Sequence, residues 1–164
     1  MTIRYGLIGS GMMGQEHIRN INLLGGCEVA AVADPDEGMR ALSVQTSGGT
    51  AKPYSDYKEM MSKGDLDALV IVSPNDTHHA ILMDILETPL PILCEKPLCT
   101  TSGHCREVLA KAENRAAPVW VAMEYRYMPP VQRLLAEISN GTTGTPRMMA
   151  IREHRFPFLP KVGD

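Results

Sequence analysis

The sequence predicts a doubly wound α/β domain, one parallel sheet with helices on both faces. Three observations carry this. Short apolar, β-rich runs recur along the chain, each is followed by a segment with apolar residues at helical spacing, and the runs are continuously apolar, as strands covered on both faces must be. Strands separated by helices need crossover connections, which make the strands parallel and place the helices on either side of them.

Ile3 to Ile8 is the first strand, and Met12 to Leu24 the first helix, with Ile18, Ile21 and Leu24 on one stripe and Gly25-Gly26 as its stop. Val29 to Ala33 is the second strand and ends at Asp34-Pro35. Helical spacing resumes at Met39 and Leu42 and breaks at Ser47-Gly48-Gly49. A short third strand near Ala51 to Tyr54 precedes a helix with Asp56 and Glu59 at N-cap and N3 spacing. Ala68 to Val72 is a strand, and Asn75 to Leu86 a helix with Ile81, Leu82, Ile85 and Leu86 as its stripe. Strand Ile92 to Cys94, helix Ser102 to Ala116 with Cys105, Val108, Leu109 and Ala112 inward, and strand Val119 to Met123 complete the alternation.

This domain takes residues 1–124, and residues 125–164 hold what is left. They contain a Pro129-Pro130 break, an amphipathic helix Val131 to Ile138 with Leu134 and Leu135 on its stripe, and a strand-like segment Arg147 to Phe158 carrying His154 and Arg155. One polar strand cannot form a sheet alone. The chain is therefore expected to stop inside a second, α+β domain whose opening linker helix and first strand these are.

The 164 residues suit one complete domain and part of another, and 44% hydrophobic with 21% charged residues suits a folded core. A net charge of -3 without a basic run argues against a nucleic-acid partner. No uninterrupted apolar stretch is longer than the one from Ala68 to Val72, which falls far short of the roughly 20 residues of a membrane span. The N-terminus lacks a signal-peptide pattern, so a cytoplasmic protein without membrane partners is expected. Cys27, Cys94, Cys99 and Cys105 form no C-x-x-C pair and read as reduced thiols. Cys99, His104 and Cys105 lack the paired short spacing of a zinc site, and no metal is expected.

Gly9-Ser10-Gly11-Met12-Met13-Gly14 follows a strand directly, opens a helix and is answered by Asp34 at the end of the second strand. That is the context in which G-x-G-x-x-G binds a dinucleotide. Gly9 permits the tight turn, Gly11 lets the backbone approach a pyrophosphate, and Gly14 lets helix pack on strand, while main-chain N–H groups and the helix dipole face the phosphate charge. Asp34 is an acceptor for two ribose hydroxyls and repels a 2'-phosphate, which favours NAD over NADP. The nearest following cation, Arg40, is a full turn into the next helix, and Pro35-Asp36 is no phosphate clamp.

In an open parallel sheet the ligand lies outside the carboxyl ends of the strands. Three further segments fall there: Ser73-Pro74-Asn75-Asp76-Thr77-His78, Glu95-Lys96-Pro97, and Glu124-Tyr125-Arg126-Tyr127-Met128-Pro129. With the glycine loop, and in this order and spacing, they resemble the glucose-fructose oxidoreductase, inositol dehydrogenase and rhizopine-catabolism (Gfo/Idh/MocA) family, whose cofactor domain has the Rossmann fold. The resemblance covers essentially the whole chain.

The resemblance implies that Ser73, Pro74, Asn75 and His78 line the cofactor, that Glu95 and Lys96 sit at the nicotinamide ribose, and that Lys96 reaches the substrate hydroxyl. An ammonium there orients the hydroxyl and stabilises developing alkoxide charge. A solvated surface lysine with Glu95 as its ion-pair partner is the plainer reading of the same residues. His78 is open between a ligand contact and a histidine at a helix start, and Tyr125 and Arg126 between nicotinamide contacts and anchors of the interdomain crossing. The resemblance further implies an open antiparallel sheet after this point, bearing substrate contacts and a catalytic histidine. Without it the chain alone is expected to be inactive.

The function implied is an NAD-dependent oxidoreductase acting on a CH–OH group of a small-molecule sugar, cyclitol or related polyol, a homo-oligomer at full length. The alternatives are a non-catalytic nucleotide-binding regulatory protein and a variant that uses NAD transiently to cleave glycosides.

Overall fold

Continuous apolar runs become the strands of one sheet because both of their faces find a helix to bury against. The structure is a computed structural model and describes residues 1–154. It divides into two compact units, residues 1–122 and a second beginning at Met123.

The first unit alternates β1 (Ile3–Ile8), α1 (Met12–Asn22), β2 (Cys27–Ala33), α2 (Glu37–Thr46), β3 (Lys52–Tyr54), α3 (Tyr57–Lys63), β4 (Ala68–Ile71), α4 (His78–Ile85), β5 (Ile92–Cys94), α5 (Ser102–Ala112) and β6 (Val119–Val121). The six strands lie in the order β3-β2-β1-β4-β5-β6, and every pairing is parallel. The chain order reverses between β1 and β4, which opens a crevice at their carboxyl ends.

Strand pleating sends neighbouring residues to opposite faces. Leu7, Val32 and Val70 pack with Ile18 and Ile21 of α1, while Ile8, Ala33 and Ile71 pack with Met60 of α3, Leu82 and Ile85 of α4 and Val108 of α5. Side chains cap several helices: Asp36 accepts from Met39 N at α2, Asp56 from Lys58 N at α3, and Thr101 from His104 N at α5.

Several elements differ from the sequence reading. The first helix ends at Asn22, because Leu23 N and Leu24 N bond to Asn20 O and Ile21 O and tighten the last turn; Leu24 leaves the stripe and is 54% exposed. Asp56 caps Lys58 rather than Glu59, and the Glu59 carboxylate pairs with Lys63. Asn75–Thr77 is a 3₁₀ turn, and the α-helix begins at His78. Leu109 is exposed, and α5 buries a narrower stripe around Val108.

In the second unit a 3₁₀ turn, Glu124–Tyr127, leads into α6 (Pro129–Ser139), which starts with two prolines where no N–H is needed. None of its residues is fully buried. Residues 147–154 are not strand, and the rest of the expected strand, with Arg155 and Phe158, lies outside the described residues.

Candidate functional site

The glycine loop is shaped by close approach. Gly9 has φ of +93°, and a Cβ there would lie 2.5 Å from Ser73 N, so the turn after β1 runs against the backbone leaving β4. A Cβ on Gly14 would lie 2.9 Å from Gly9 O, and only glycine lets α1 sit this near its own loop. Around Gly11 a Cβ would meet nothing within 4 Å, which leaves room on the open side. The helix begins there without a capping side chain or an acidic residue in its first turn, and its first internal bond is Gln15 N to Gly11 O. The N–H groups of Met12, Met13 and Gly14 therefore have no partner within the helix, and they face outward at its positive end. Orphan donors, an open approach and no competing carboxylate fit a pyrophosphate.

Asp34 stands at the end of β2, held by three donors. Ser10, fully buried, gives both its N–H (2.8 Å) and its hydroxyl (3.0 Å) to Asp34 Oδ2, and Asp36 N donates to Oδ1 at 2.9 Å. Of about four acceptor positions on a carboxylate, three are filled by the protein. One is left for a ribose hydroxyl, fewer than the two expected at Asp34. Arg40 is nearer than its place in the sequence suggests: its Nη1 donates to the main-chain oxygens of Asp34 (2.8 Å) and Pro35 (2.9 Å).

A buried polar cluster lies beneath the loop. Gln15 Nε2 donates to Ser10 O at 3.0 Å and to Ser43 Oγ at 2.7 Å, and Thr46 Oγ1 donates to Gln15 Oε1 at 2.7 Å. Every polar atom of the Gln15 side chain is used, as burial requires. The cluster joins the loop to α2.

On the other side of the crevice, Ser73 is half-buried and Pro74 and Asn75 are exposed just past β4. His78 corrects the sequence reading. Its ring is fully buried, with Nδ1 2.9 Å from Pro97 O and Nε2 3.0 Å from Ser73 O, so no polar atom is left for a ligand. It ties the loop after β4 to the loop after β5.

Glu95 pairs with His17 rather than with the Lys96 ammonium. Its Oε1 lies 2.8 Å from His17 Nε2 on α1, and its Oε2 accepts from the main-chain N–H of Lys96 at 3.1 Å. Burial alone would raise the Glu95 pKa, but the bonds from His17 and the Lys96 N–H outweigh it and hold the carboxyl below its usual range. The Lys96 side chain is exposed and makes no hydrogen bond or ion pair to a described residue. Burial pushes the Cys94 thiol up to about 12 and the Cys99 thiol up to about 11, with neighbouring cysteines adding to both, which disfavours the reactive thiolate at these buried positions. Among the described residues no group of three or more His, Cys, Asp and Glu is placed to hold a metal; His104 stacks on His79 with ring centres 3.9 Å apart.

Tyr125 and Arg126 belong to the second unit, where the Tyr125 hydroxyl donates to Glu153 and the Arg126 carbonyl accepts from Gln132. His17, Gln15, Ser43 and Thr46 were not found by the sequence reading. The one signal for His17 is its position three residues past Gly14, beside the buried Ile18 and Ile21.

The family model described as an oxidoreductase family with an NAD-binding Rossmann fold, Gfo/Idh/MocA, matches residues 3–123. The chain belongs to this family. Its first unit is thus an NAD-binding Rossmann unit, and the glycine loop above is the part that fits the pyrophosphate. The inositol 2-dehydrogenase of Acidothermus cellulolyticus is 35% identical over 162 residues, covering 97% of this chain and 47% of that protein. The rhizopine catabolism protein MocA of Rhizobium meliloti is 34% identical over 141 residues, 86% of this chain and 44% of that protein. Among solved structures, the myo-inositol dehydrogenase from Lactobacillus casei, in complex with NAD(H) and myo-inositol, superposes with a TM-score of 0.83 at 32% identity, over 89% of this chain and 44% of that one. The chain spans about half the length of the curated relatives it matches. No helix among the described residues is long and apolar enough to cross a membrane.

Proposed function

We propose that this family member is the cofactor-binding part of an NAD-dependent dehydrogenase that oxidises a secondary hydroxyl of a cyclitol, sugar or related polyol, with Lys96 as its catalytic residue in this part. The carrying observation is the Lys96 ammonium, exposed and without a hydrogen-bond or ion-pair partner among the described residues, two residues past β5 on the edge of the sheet that bears the glycine loop. The names of the relatives support the substrate class. The four unpaired thiols suit a reducing cytoplasm.

When bound, NAD supplies the oxidant, a pyridinium ring that takes up a hydride. The chain's residues bind and orient. The N–H groups opening α1 take the pyrophosphate, Asp34 accepts from the adenosine ribose, and Ser73, Pro74 and Asn75 line the middle of the crevice. Glu95 fixes the Lys96 main chain, and the Lys96 ammonium donates to the substrate oxygen. There it lowers the cost of losing the hydroxyl proton and stabilises the negative charge that grows on oxygen.

The test takes the native protein with NAD⁺ and myo-inositol, scyllo-inositol or glucose, and follows NADH absorbance. Stoichiometric release of NADH with one of these is expected. NADH binding without turnover on any polyol would favour the regulatory alternative, and glycoside cleavage without free NADH the other.

A further inference from the structure

Selectivity between NADH and NADPH is usually ascribed to the acidic residue that meets the ribose, here Asp34. In this chain that residue does not act alone, for a cation lies beside it. Arg40 Nη1 is 2.8 Å from the main-chain oxygen of Asp34 itself, and the rest of its guanidinium makes no hydrogen bond to a described residue. A guanidinium with free donors is a ready partner for a phosphate. Excluding a 2'-phosphate then depends on where the Asp34 carboxylate points, not only on its presence: aimed at the ribose, it repels the phosphate; swung aside, it leaves Arg40 to receive it.

What holds Asp34 is Ser10. Both the N–H and the hydroxyl of this fully buried residue converge on Asp34 Oδ2, at 2.8 and 3.0 Å. Ser10 is itself pinned from below, since its carbonyl accepts from Gln15, and Gln15 is anchored to Ser43 and Thr46 on α2, the helix that also carries Arg40. The cluster therefore fixes carboxylate and cation against the same helix.

We propose that Ser10 is a specificity-determining residue: by clamping Asp34 Oδ2 it keeps the carboxylate on the ribose beside Arg40, and so sets the preference for NADH over NADPH. Ser10 acts through Asp34, because its buried hydroxyl has no open path to a ligand. The proposal rests on the cofactor reading above, in which Asp34 meets the adenosine ribose.

The test is calorimetric titration of the 164-residue chain with NADH and with NADPH at one ionic strength, for the wild type, Asp34→Ala, Ser10→Ala, and Ser10→Ala combined with Arg40→Ala. Ser10→Ala keeps the main-chain bond and removes only the hydroxyl. The ratio of the two affinities is expected to fall about tenfold, the worth of one hydrogen bond to a charged group. The double variant is expected to lose the NADPH affinity gained, because the free cation has gone. A merely structural role for Ser10 would weaken both nucleotides by one factor and leave the ratio unchanged, and that result overturns the proposal. Gln15→Met, which releases Ser10 from below, gives a second route to the same fall if the first variant folds poorly; an unchanged ratio in that variant also overturns it. If Asp34→Ala leaves the ratio at its wild-type value, the ribose contact itself is misplaced, an outcome distinct from failure at Ser10 alone.

Discussion

Replacing His17 with phenylalanine keeps a ring of similar size and removes the donor to Glu95. The carboxylate is buried, with side-chain exposures of 18% for His17 and 11% for Glu95, and it loses a 2.8 Å bond while keeping the one from Lys96 N at 3.1 Å. Stripping one partner from a fully buried pair costs about 3–5 kcal/mol, and a single hydrogen bond to a charged group about 1.5–3 kcal/mol. The surviving bond and the partly open rim place this case near the lower figure, about 2 kcal/mol, or roughly 5–10 °C in Tm for a domain of this size. The sign with pH follows from the lowered Glu95 pKa. A carboxyl whose folded value lies below its unfolded value stabilises the fold above about pH 4.3, and that contribution disappears as pH falls through the folded value. In His17→Phe the burial of Glu95 is no longer outweighed, so its pKa rises and acid relieves the variant instead. The gap between wild type and variant is therefore widest at neutral pH and closes toward acid. Thermal unfolding followed by circular dichroism at several pH values measures it. A gap of constant size from neutral to about pH 3.5 would refute the claim that Glu95 is held ionised by His17.

Gly14→Ala forces a Cβ to within 2.9 Å of Gly9 O, so α1 must retreat from the loop; NADH affinity, read by titration, is expected to fall about tenfold or more, the effect of 1–3 kcal/mol of overpacking. In the native protein Lys96→Met is expected to lower turnover by about 10²-fold with little change in NADH affinity, and unchanged turnover would return Lys96 to the role of a surface lysine. The second unit exposes Leu134, Leu135, Met148 and Ile151, so light scattering of the chain is expected to show association that grows with concentration and weakens in Leu135→Glu.

The sheet was legible because its strands are uninterrupted apolar runs, and Ile3–Ile8 and Ile92–Cys94 match the structure to the residue. The glycine loop was legible because its chemistry is local: turn, close approach and helix start fall within Gly9 to Gly14. Helix stripes were less so. Periodicity tells which residues share a face, as with Leu24 and Leu109, but not how wide a face the sheet will cover, and both leucines end up in solvent. His78 stayed open between a ligand contact and a histidine at a helix start, since nothing in its neighbourhood announces that Pro97 O and Ser73 O will close on its ring.

The contacts that escaped the sequence reading share a physical reason. Ser10 meets Asp34 across 24 positions, Gln15 meets Ser43 across 28, and His17 meets Glu95 across 78. These are buried polar contacts between elements that only the crossover topology brings together, and each partner alone reads as an ordinary helix or loop residue. Their placement is not arbitrary. A ligand-facing carboxylate or ammonium on a surface loop has several rotamers, and binding must bear the cost of selecting one. A fully bonded cluster beneath it removes that freedom before the ligand arrives, provided every polar atom is satisfied, as it is here: no buried side-chain nitrogen or oxygen among the described residues lacks a partner. On the proposed reading, then, Asp34 and Lys96 are the groups that meet cofactor and substrate, while Ser10, Gln15 and His17 set how firmly Asp34 and the Lys96 turn are aimed. Two chains with the same glycine loop and the same Glu-Lys-Pro segment can therefore differ in cofactor preference through residues that no ligand reaches.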